Sequence, residues 1–223
     1  MSGALIVLEG VEGAGKTTQA ARLVRRLEAA GMECVAVREP GGTQSGDVIR
    51  RLLLDPDSRL DARTEALLFM ASRAQLVADA IRPALARGAF VIADRFFLST
   101  YAYQIAGRGL PEAAVREANA LATGGLVPDL NVLLDLPSGD GLARARQRSG
   151  ADRIERSGAD FHDRVRQAFV GFASASWQSS HPEAGAIALI DASGSEVEVA
   201  ARVAAELARQ WPRTAAALAG SNS

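Results

Sequence analysis

The chain has 223 residues, the size of one α/β domain with its own hydrophobic core. Hydrophobic residues make up 48% of it but form no run long enough to span a bilayer, so we expect a cytoplasmic protein with no membrane partner. The formal net charge of -1 argues against a general electrostatic attraction for nucleic acid, so an anionic partner is expected to be small.

Two residue types occur once each and are informative for that reason. Lys16 is the only lysine among 25 basic residues, the others being arginine. This bias indicates that residue 16 needs a compact ammonium group on a flexible stem, which a planar guanidinium does not replace. Cys34, the only cysteine, excludes an internal disulfide and a multi-cysteine metal site, and we interpret it as an inert thiol in a buried strand.

The first half of the chain alternates between strands and helices. Apolar runs with β-branched residues predict strands, and an apolar period of about 3.6 residues predicts helices. A proline and two glycines after the second strand predict a loop with unusual backbone angles. In chain order, we expect a strand over Ala4–Glu9, a helix ending near Gly31, a strand over Cys34–Arg38, helices over Ser45–Leu54 and Arg63–Arg87 with a kink near Pro83, and a strand over Ala89–Ala93.

The second half repeats this alternation. Strands that read as unbroken apolar runs indicate a parallel sheet covered by helices, so the predicted fold class is α/β. We expect a single domain over residues 1–211, followed by a disordered tail over 212–223. The remaining elements are helices over Ser99–Ala106 and from Pro111, a strand over Leu130–Leu134, helices over Gly139–Arg148 and Phe161–Ser179, a strand over Ala186–Ile190, and a helix over Glu196–Gln210.

The glycine-rich turn after the first strand matches the pattern G-x-x-x-x-G-K-[ST] between a strand and a helix, as this phosphate-binding motif requires. Its backbone N–H groups and the helix N-terminus are expected to surround phosphate oxygens. Lys16 is then expected to bridge the β- and γ-phosphates of ATP, and the Thr17 hydroxyl to bind Mg²⁺. The alternative is a glycine turn without a ligand. The expected nucleotide-binding residues are Gly10, Val11, Glu12, Gly13, Ala14, Gly15, Lys16, Thr17 and Thr18.

The class of nucleotide-binding protein is narrowed by length and by the single lysine. A GTPase that recognises guanine through N-K-x-D needs a second lysine, and a mechanical ATPase needs a longer chain. A small kinase remains. A catalytically silent nucleotide-binding regulator is the alternative from another functional class.

Three predicted strands are followed by an aspartate: Asp94, Asp135 and Asp191. In a parallel sheet the carboxyl ends of the strands face the ligand crevice, so each carboxylate is a candidate for Mg²⁺. We select Asp94, because Arg95 follows it and offers a guanidinium to phosphate. Helix or turn capping is the expected role of the other two aspartates. Glu9, at the end of the first strand, is a further candidate for orienting Mg²⁺ or an acceptor hydroxyl.

Several segments together resemble the bacterial thymidylate kinase family. They are the phosphate loop, Arg38-Glu39-Pro40-Gly41-Gly42-Thr43, Asp94-Arg95, Ser99-Thr100, Ala102-Tyr103-Gln104 and Asp152-Arg153-Ile154-Glu155, and the likeness runs from about Leu5 to about Ala192. The resemblance implies a P-loop NTPase three-layer fold with a five-stranded parallel sheet and a mobile lid over about residues 139–158. It also implies ATP with Mg²⁺ as the phosphoryl donor and a homodimer.

The same resemblance implies an acceptor pocket for thymidine 5′-monophosphate (dTMP). Phe69 and Arg73 lie four residues apart in a predicted helix, so their side chains project from one face. By similarity Phe69 stacks on thymine and Arg73 donates to its O4, the alternative being a core phenylalanine and a solvated arginine. The resemblance further assigns the acceptor phosphate to Arg38 and Arg95, the base to Thr100 and Gln104, crowding of the sugar 2′ position to Tyr103, and acceptor contacts to Glu9, Pro40 and Ser99.

A basic stretch after the fourth strand contains Arg144, Arg146, Arg148 and Arg153. Some thymidylate kinases carry an arginine in the phosphate loop, where this chain has Gly13 and Ala14, so the transition-state charge must be neutralised from elsewhere. The resemblance implies a lid that supplies it: Arg148 and Arg153 as catalytic groups, with Arg144 and Arg148 binding ATP. A solvated basic helix is the alternative.

We therefore predict phosphorylation of dTMP to the diphosphate by ATP, in dTTP biosynthesis. A kinase for another pyrimidine monophosphate is the alternative. His162 and His181 are interpreted as surface residues without a role. The expected catalytic residues are Lys16, Arg95, Asp94, Glu9, Arg148 and Arg153, and the expected metal ligands are Thr17, Asp94 and Glu9.

Overall fold

The computed structural model describes residues 3–146 and 152–212. Five strands form one parallel sheet in the order β2-β3-β1-β4-β5. All five predicted strands are confirmed, each to within one residue at either end. The strands are β1 (Leu5–Gly10), β2 (Cys34–Arg38), β3 (Phe90–Asp94), β4 (Leu130–Asp135) and β5 (Ala186–Asp191).

Helices flank this sheet. The first part of the chain contributes α1 (Lys16–Ala29), α2 (Gln44–Leu54), α3 (Ala62–Leu76), α4 (Arg82–Ala86), α5 (Phe97–Thr100) and α6 (Glu112–Thr123). The second part contributes α7 (Ser138–Arg146), α8 (Ala159–Phe172), α9 (Ala175–Ser180) and α10 (Glu196–Gln210). The bounds of α10 are the predicted ones, and Ser195 with Glu198 forms a capping box at its start.

The core lies along the three central strands. Leu5–Leu8 of β1 are fully buried, and β3 and β4 are nearly as buried, which explains their unbroken apolar sequences. The outer strands β2 and β5 are partly exposed. Cys34 lies in β2 and is half-buried rather than buried as predicted, because β2 is an edge strand.

Two predicted helices differ from the observed ones. The predicted helix Arg63–Arg87 contains a π-helical turn, Val77–Ile81, between α3 and α4. Because Pro83 has no N–H, the regular hydrogen-bond series cannot continue through it, and the wide turn lies just before that residue. The predicted helix Phe161–Ser179 is two helices, since the Ser174 hydroxyl accepts from the Trp177 N–H and begins α9.

The helix predicted over Ser99–Ala106 is present, but most of it is π-helical, over Tyr101–Gly107. Its wider turn places successive side chains at angles that a regular helical period does not predict. This segment follows directly from β3 through α5, so it carries its side chains to the carboxyl end of the sheet.

The prediction that both histidines are surface residues was wrong. His162 is 3% exposed and its Nδ1 lies 3.8 Å from a carboxylate oxygen of Glu12. His181 is 6% exposed, stacks on the Trp177 ring at 3.9 Å between centroids, and pairs with Glu112 at 3.0 Å. Histidine occurs both on the surface and in the interior of proteins, so a sequence pattern does not decide whether these two residues are buried.

Over the described ranges, no helix combines the length and the apolar character needed to cross a membrane. The predicted disordered tail lies almost wholly outside these ranges. So do residues 147–151 of the predicted lid, including Arg148.

Candidate active site

The phosphate loop joins β1 to α1 and brings Lys16 to the carboxyl end of the sheet. Gly15 has a φ of 92°, which lets the chain turn into α1. The Lys16 ammonium donates to the carbonyl of Gly10 at 3.1 Å and to that of Val11 at 2.7 Å. Burial, with Arg95 nearby, lowers the pKa of Lys16 to about 8. The only lysine is thus held inside the loop by neutral carbonyl groups.

Gly13 lies against the first helix of the predicted lid. A Cβ at residue 13 would stand 2.0 Å from the Gly141 carbonyl oxygen, and a Cβ at residue 141 would stand 2.2 Å from the Glu12 carbonyl oxygen. Gly13 also has a φ of 71°. The loop therefore has no space for an arginine at residue 13, which is consistent with a phosphate-stabilising arginine coming from elsewhere.

Thr17 and Asp94 form the pair expected for Mg²⁺. Asp94 ends β3, which pairs with β1, so its carboxylate lies beside the loop and accepts the Thr17 hydroxyl proton at 2.5 Å. Mg²⁺ prefers oxygen ligands and commonly takes one or two from protein, with water and phosphate completing its coordination. No group of three or more His, Cys, Asp or Glu side chains suited to a metal occurs within residues 3–146 and 152–212. This sparse oxygen pair fits Mg²⁺.

The Glu9 carboxylate is engaged elsewhere. One oxygen accepts the backbone N–H groups of Phe96 at 2.9 Å and Ser99 at 3.1 Å, and the other accepts the Ser99 hydroxyl at 2.6 Å. Burial raises the pKa of the Glu9 carboxyl, although Arg95 and these hydrogen bonds oppose the shift. Glu9 therefore holds the start of α5, and it does not line the cavity that Thr17 and Asp94 line.

Arg95 connects the phosphate loop to the segment after β3. Its Nη1 donates to the Gly10 carbonyl at 3.0 Å and to the Ser99 hydroxyl at 2.9 Å, while Nη2 contacts Glu12 and the Tyr103 hydroxyl at 3.1 Å each. The Tyr103 hydroxyl donates to the Glu12 carboxylate at 2.6 Å. Arg95 has a φ of 72°, a conformation that costs a non-glycine residue about 1–3 kcal/mol and persists where its surroundings hold it.

These elements surround a cavity of about 580 Å³, a volume typical of small-molecule sites. It is lined by four residues of the phosphate loop and by the predicted acceptor residues, apart from Glu9. The predicted residues that line it are Glu12, Gly13, Lys16, Thr17, Arg38, Pro40, Phe69, Arg73, Asp94, Arg95, Ser99, Thr100, Tyr103 and Gln104. We call it the main cavity.

Arg73 is held at the far end of the main cavity by a buried polar network. Its side chain is 1% exposed, so the alternative of a solvated arginine is excluded. Nε and Nη2 contact Glu39 at 2.8 and 2.6 Å, and Nη1 donates to Thr100 at 2.9 Å and to Asn119 at 2.7 Å. The guanidinium lies 5.3 Å from the centre of the Phe96 ring. These contacts leave one Nη2 proton of the five guanidinium N–H groups for a ligand.

A second buried carboxylate, Glu65, stands next to the base-facing residues. It accepts from Gln104 at 2.9 Å and from Arg108 at 3.1 Å, and Arg153 lies 2.6 Å from its other oxygen. Arg153 also donates to the Leu53 carbonyl at 2.8 Å. The structure thus places Arg153 against Glu65 and α2, rather than among the residues that line the cavities at the phosphate loop.

A second cavity of about 340 Å³ lies on the other side of the phosphate loop, between this loop, α7 and the segment after β5. Thr18 and Arg144, both predicted to bind ATP, line it. Ser195 and Glu196 also line this cavity, and no pattern in the sequence indicated that they would. The other two strand-end aspartates lie elsewhere: Asp135 pairs with Arg166, and Asp191 caps the turn at Ser193.

Several functional candidates were missed by sequence reasoning. The carboxylates of Glu12, Glu39 and Glu65 and the amide of Asn119 were not assigned side-chain roles, yet each is hydrogen-bonded to a cavity residue. Glu39 belongs to a segment already recognised as distinctive, which was a usable signal. Glu12 lies in the phosphate loop, which was recognised as well, whereas Glu65 and Asn119 stand in ordinary helical patterns, where a buried polar side chain is visible only through its partner.

Comparison with known proteins agrees with this architecture. The family model described as thymidylate kinase matches residues 8–199. The thymidylate kinase of Deinococcus radiodurans is 48% identical over 201 residues, covering 90% of this chain and 94% of that protein. That of Synechococcus sp. (strain JA-2-3B'a(2-13)) is 50% identical over 200 residues, covering 89% and 91%.

A crystal structure of thymidylate kinase from Ehrlichia chaffeensis superposes with a TM-score of 0.68 and 28% identity, over 88% of this chain and 90% of that one. The five-stranded parallel sheet with its phosphate loop is accordingly the P-loop NTPase fold. The matches cover nearly the whole chain and include the segments that line the main cavity. The chain belongs to the thymidylate kinase family.

Proposed function

We propose that this chain transfers the γ-phosphoryl group of ATP to dTMP, giving the diphosphate in the route to dTTP. One observation carries the proposal: a single cavity joins the phosphate-loop residues Lys16 and Thr17 to the base-facing residues Phe69, Arg73 and Gln104. A donor phosphate and an acceptor nucleotide can therefore meet inside it. The ammonium, guanidinium and backbone N–H groups there suit phosphoryl transfer, which depends on positioning and charge neutralisation.

The base is bound at the end of the cavity furthest from the loop. Phe69 supplies a ring for stacking, and the remaining Nη2 proton of Arg73 donates to O4 of thymine. Thr100 and Gln104, both 1% exposed, complete the polar contacts to the base. Since Arg73 can only donate, a cytosine amino group in this position would face another donor.

The acceptor phosphate is held by Arg38 and Arg95, whose guanidinium groups suit a dianion. Pro40 and Ser99 line the cavity beside them. The Tyr103 ring closes the cavity on the sugar side and excludes a 2′-hydroxyl. Arg38 exposes 59% of its side chain, so it has freedom to move onto the phosphate.

The donor triphosphate is held by the backbone N–H groups of the phosphate loop and by Lys16. The nucleoside of ATP occupies the second cavity, beside Thr18 and Arg144. Thr17 and Asp94 hold Mg²⁺, which when bound neutralises phosphate charge during transfer. Glu9 positions Ser99 in this proposal, and the remaining lone pair of its Oε2 can orient water bound to Mg²⁺.

The proposal includes closure of the lid, about residues 139–158, over bound ATP. Arg148 lies outside the described residues and is the candidate that neutralises the transition state. Arg153 takes that role only if it leaves Glu65, to which it is bound at 2.6 Å. We expect Arg148→Ala to lower kcat more than Arg153→Ala does.

The family resemblance also favours a homodimer and a cytoplasmic location. Val48 and Leu52 of α2, Leu67 of α3 and Leu121 of α6 are apolar residues that are between 44% and 85% exposed. A second copy of the chain is the proposed partner of this helical surface. Light scattering should give twice the mass of the chain, and Leu67→Glu should reduce it.

A substrate panel tests the proposed function. With ATP and Mg²⁺, the expected order of kcat/KM is dTMP, then deoxyuridine monophosphate, with deoxycytidine and uridine monophosphates far below. The missing methyl of uracil is worth about 1–3 kcal/mol, while the amino group of cytosine opposes Arg73. Equal rates with deoxycytidine monophosphate would remove the dTMP assignment. Binding of nucleotide without any transfer would indicate a regulator instead.

A further inference from the structure

Glu65 is a buried carboxylate with no role in binding phosphate or metal. It lies in the first turn of α3, is 1% exposed, and does not line the main cavity. Its Oε1 accepts from Gln104 Nε2 at 2.9 Å and from Arg108 Nε at 3.1 Å. Its Oε2 accepts from Arg108 Nη2 at 3.2 Å and lies 2.6 Å from Arg153 Nη2.

Two guanidinium groups keep this carboxylate ionised. Burial alone would raise the pKa of Glu65, but hydrogen bonds from Arg108, Gln104 and Arg153 lower it overall. Arg108 is itself fixed, since its guanidinium lies 4.4 Å from the centre of the Phe161 ring. An ionised carboxylate accepts hydrogen bonds and donates none.

This fact determines the orientation of the Gln104 side chain. A glutamine amide has a donating end and an accepting end that are nearly the same shape, so its orientation follows from its neighbours. Next to an ionised Glu65, the NH₂ end must face the carboxylate. The carbonyl end, Oε1, then faces away from Glu65, on the side where Gln104 lines the main cavity.

We propose that Glu65 is a specificity-determining positioning residue, which fixes the Gln104 carbonyl toward the acceptor base and so selects bases that carry a proton on N3. The inference rests on the proposed function. Thymine and uracil have an N3–H that donates to Gln104 Oε1. Cytosine has an unprotonated N3, whose lone pair would face the same carbonyl oxygen.

The acceptor base is thereby recognised at two adjacent positions, one by a hydrogen-bond donor and the other by a hydrogen-bond acceptor. Arg73 offers a donor to the atom at position 4, and Gln104 offers an acceptor to N3. Each group is held by its own buried carboxylate, Glu39 for Arg73 and Glu65 for Gln104. A cytosine would mismatch both, whereas rotation of Gln104 by half a turn would remove one mismatch. Glu65 prevents that rotation.

The experiment compares kcat/KM for dTMP and deoxycytidine monophosphate in the unmodified chain and in Glu65→Gln. A neutral amide at residue 65 can offer either end to Gln104, so the ratio of the two values should fall by at least about tenfold. The matched control is Glu183→Gln, which neutralises another arginine-paired carboxylate that lines neither the main nor the second cavity. Its ratio should stay within about threefold of the unmodified value.

Glu65→Asp gives a second test, because it keeps the charge for the arginines but shortens the reach to Gln104. The ratio should fall here as well. An unchanged ratio in both Glu65 variants, with activity on both substrates reduced alike, would show a purely structural role and overturn the inference. An equal fall in Glu183→Gln would overturn it too. If the unmodified chain fails to phosphorylate dTMP, the proposed function itself is wrong.

A measurement on the unmodified chain does not depend on the folding of any variant. In the complex with dTMP, NMR should show the thymine N3 proton hydrogen-bonded to the Gln104 carbonyl. Contact between N3 and the Gln104 amide nitrogen would contradict the proposal.

Discussion

The two ends of the main cavity hold Arg73 and Lys16 by different kinds of partner. At the base end, Arg73 is bound to the Glu39 carboxylate, and Gln104 to that of Glu65, all 5% exposed or less. At the phosphate end, the Lys16 ammonium donates to neutral carbonyl groups of its own loop and Arg38 is largely exposed, while Arg95 pairs with the Glu12 carboxylate at 3.1 Å. The base end is organised before substrate arrives, while the phosphate end exchanges its contacts when phosphate binds.

This difference separates specificity from catalysis. A buried group whose partner carries the opposite charge keeps its position. Ligand binding does not have to order such a group, which can therefore discriminate between ligands. A group held by carbonyl oxygens gains from exchanging them for phosphate oxygens, which are stronger acceptors for a cation. We therefore expect substitutions at the phosphate end to lower turnover and substitutions at the base end to alter selectivity.

The largest effect is expected at Lys16. Lys16→Arg should lower kcat by at least about two orders of magnitude, because a planar guanidinium cannot occupy the space between the Gly10 and Val11 carbonyls and also reach phosphate. Steady-state kinetics with dTMP measure this, and thermal unfolding shows whether the fold is kept. Arg25→Lys, at an exposed residue of α1, is the matched control and should be neutral. Near-normal turnover in Lys16→Arg would show that charge alone is sufficient.

The pKa of Lys16 adds a pH dependence to the same prediction. Phosphate binding needs the protonated ammonium, so kcat/KM should fall as pH rises through about 8. Because folding lowers the pKa of Lys16, the unfolded chain binds this proton more tightly than the folded chain does. The contribution of Lys16 to stability therefore increases between about pH 8 and its ordinary pKa. A melting temperature that falls together with activity above about pH 8 would contradict the assignment.

A smaller effect is expected where the two ends meet, at Tyr103. Tyr103→Phe removes the hydroxyl that donates to Glu12 and accepts from Arg95, so kcat should fall about tenfold. Discrimination against ribose should be kept, since the ring remains. Tyr101→Phe is the matched control: its hydroxyl donates to Glu183, so stability should fall without a change in kcat. Loss of ribose discrimination in Tyr103→Phe would show that the hydroxyl, not the ring, excludes the 2′-OH.

The smallest effect is expected at Cys34, on the edge strand away from both ends of the cavity. Burial and the charges of Glu28 and Glu33 raise the pKa of its thiol to about 11, so alkylation near neutral pH should be slower than for free cysteine. Cys34→Ala should change kcat less than about twofold. Rapid alkylation with loss of activity would contradict the inert role.

Sequence reasoning was strongest where a residue type carries its own physical requirement. Glycines and a lysine between an apolar strand and a helix predict a phosphate loop without reference to other segments, and apolar runs located all five strands. Sequence reasoning was weaker where the placement of a residue depends on the residues that it contacts. Nothing in the sequence indicated that Arg153 pairs with Glu65, or that Tyr101–Gly107 forms a π-helix, because both depend on residues distant in the chain.

The contact between Gly13 and Gly141 has a consequence for how this enzyme could change over generations. A side chain at either residue would collide with the backbone of the other segment. An arginine at residue 13 of the phosphate loop would therefore require this loop and the first lid helix to alter together. A side chain introduced at one of these glycines alone forces two backbone segments apart, so the two glycines should be inherited as a matched pair.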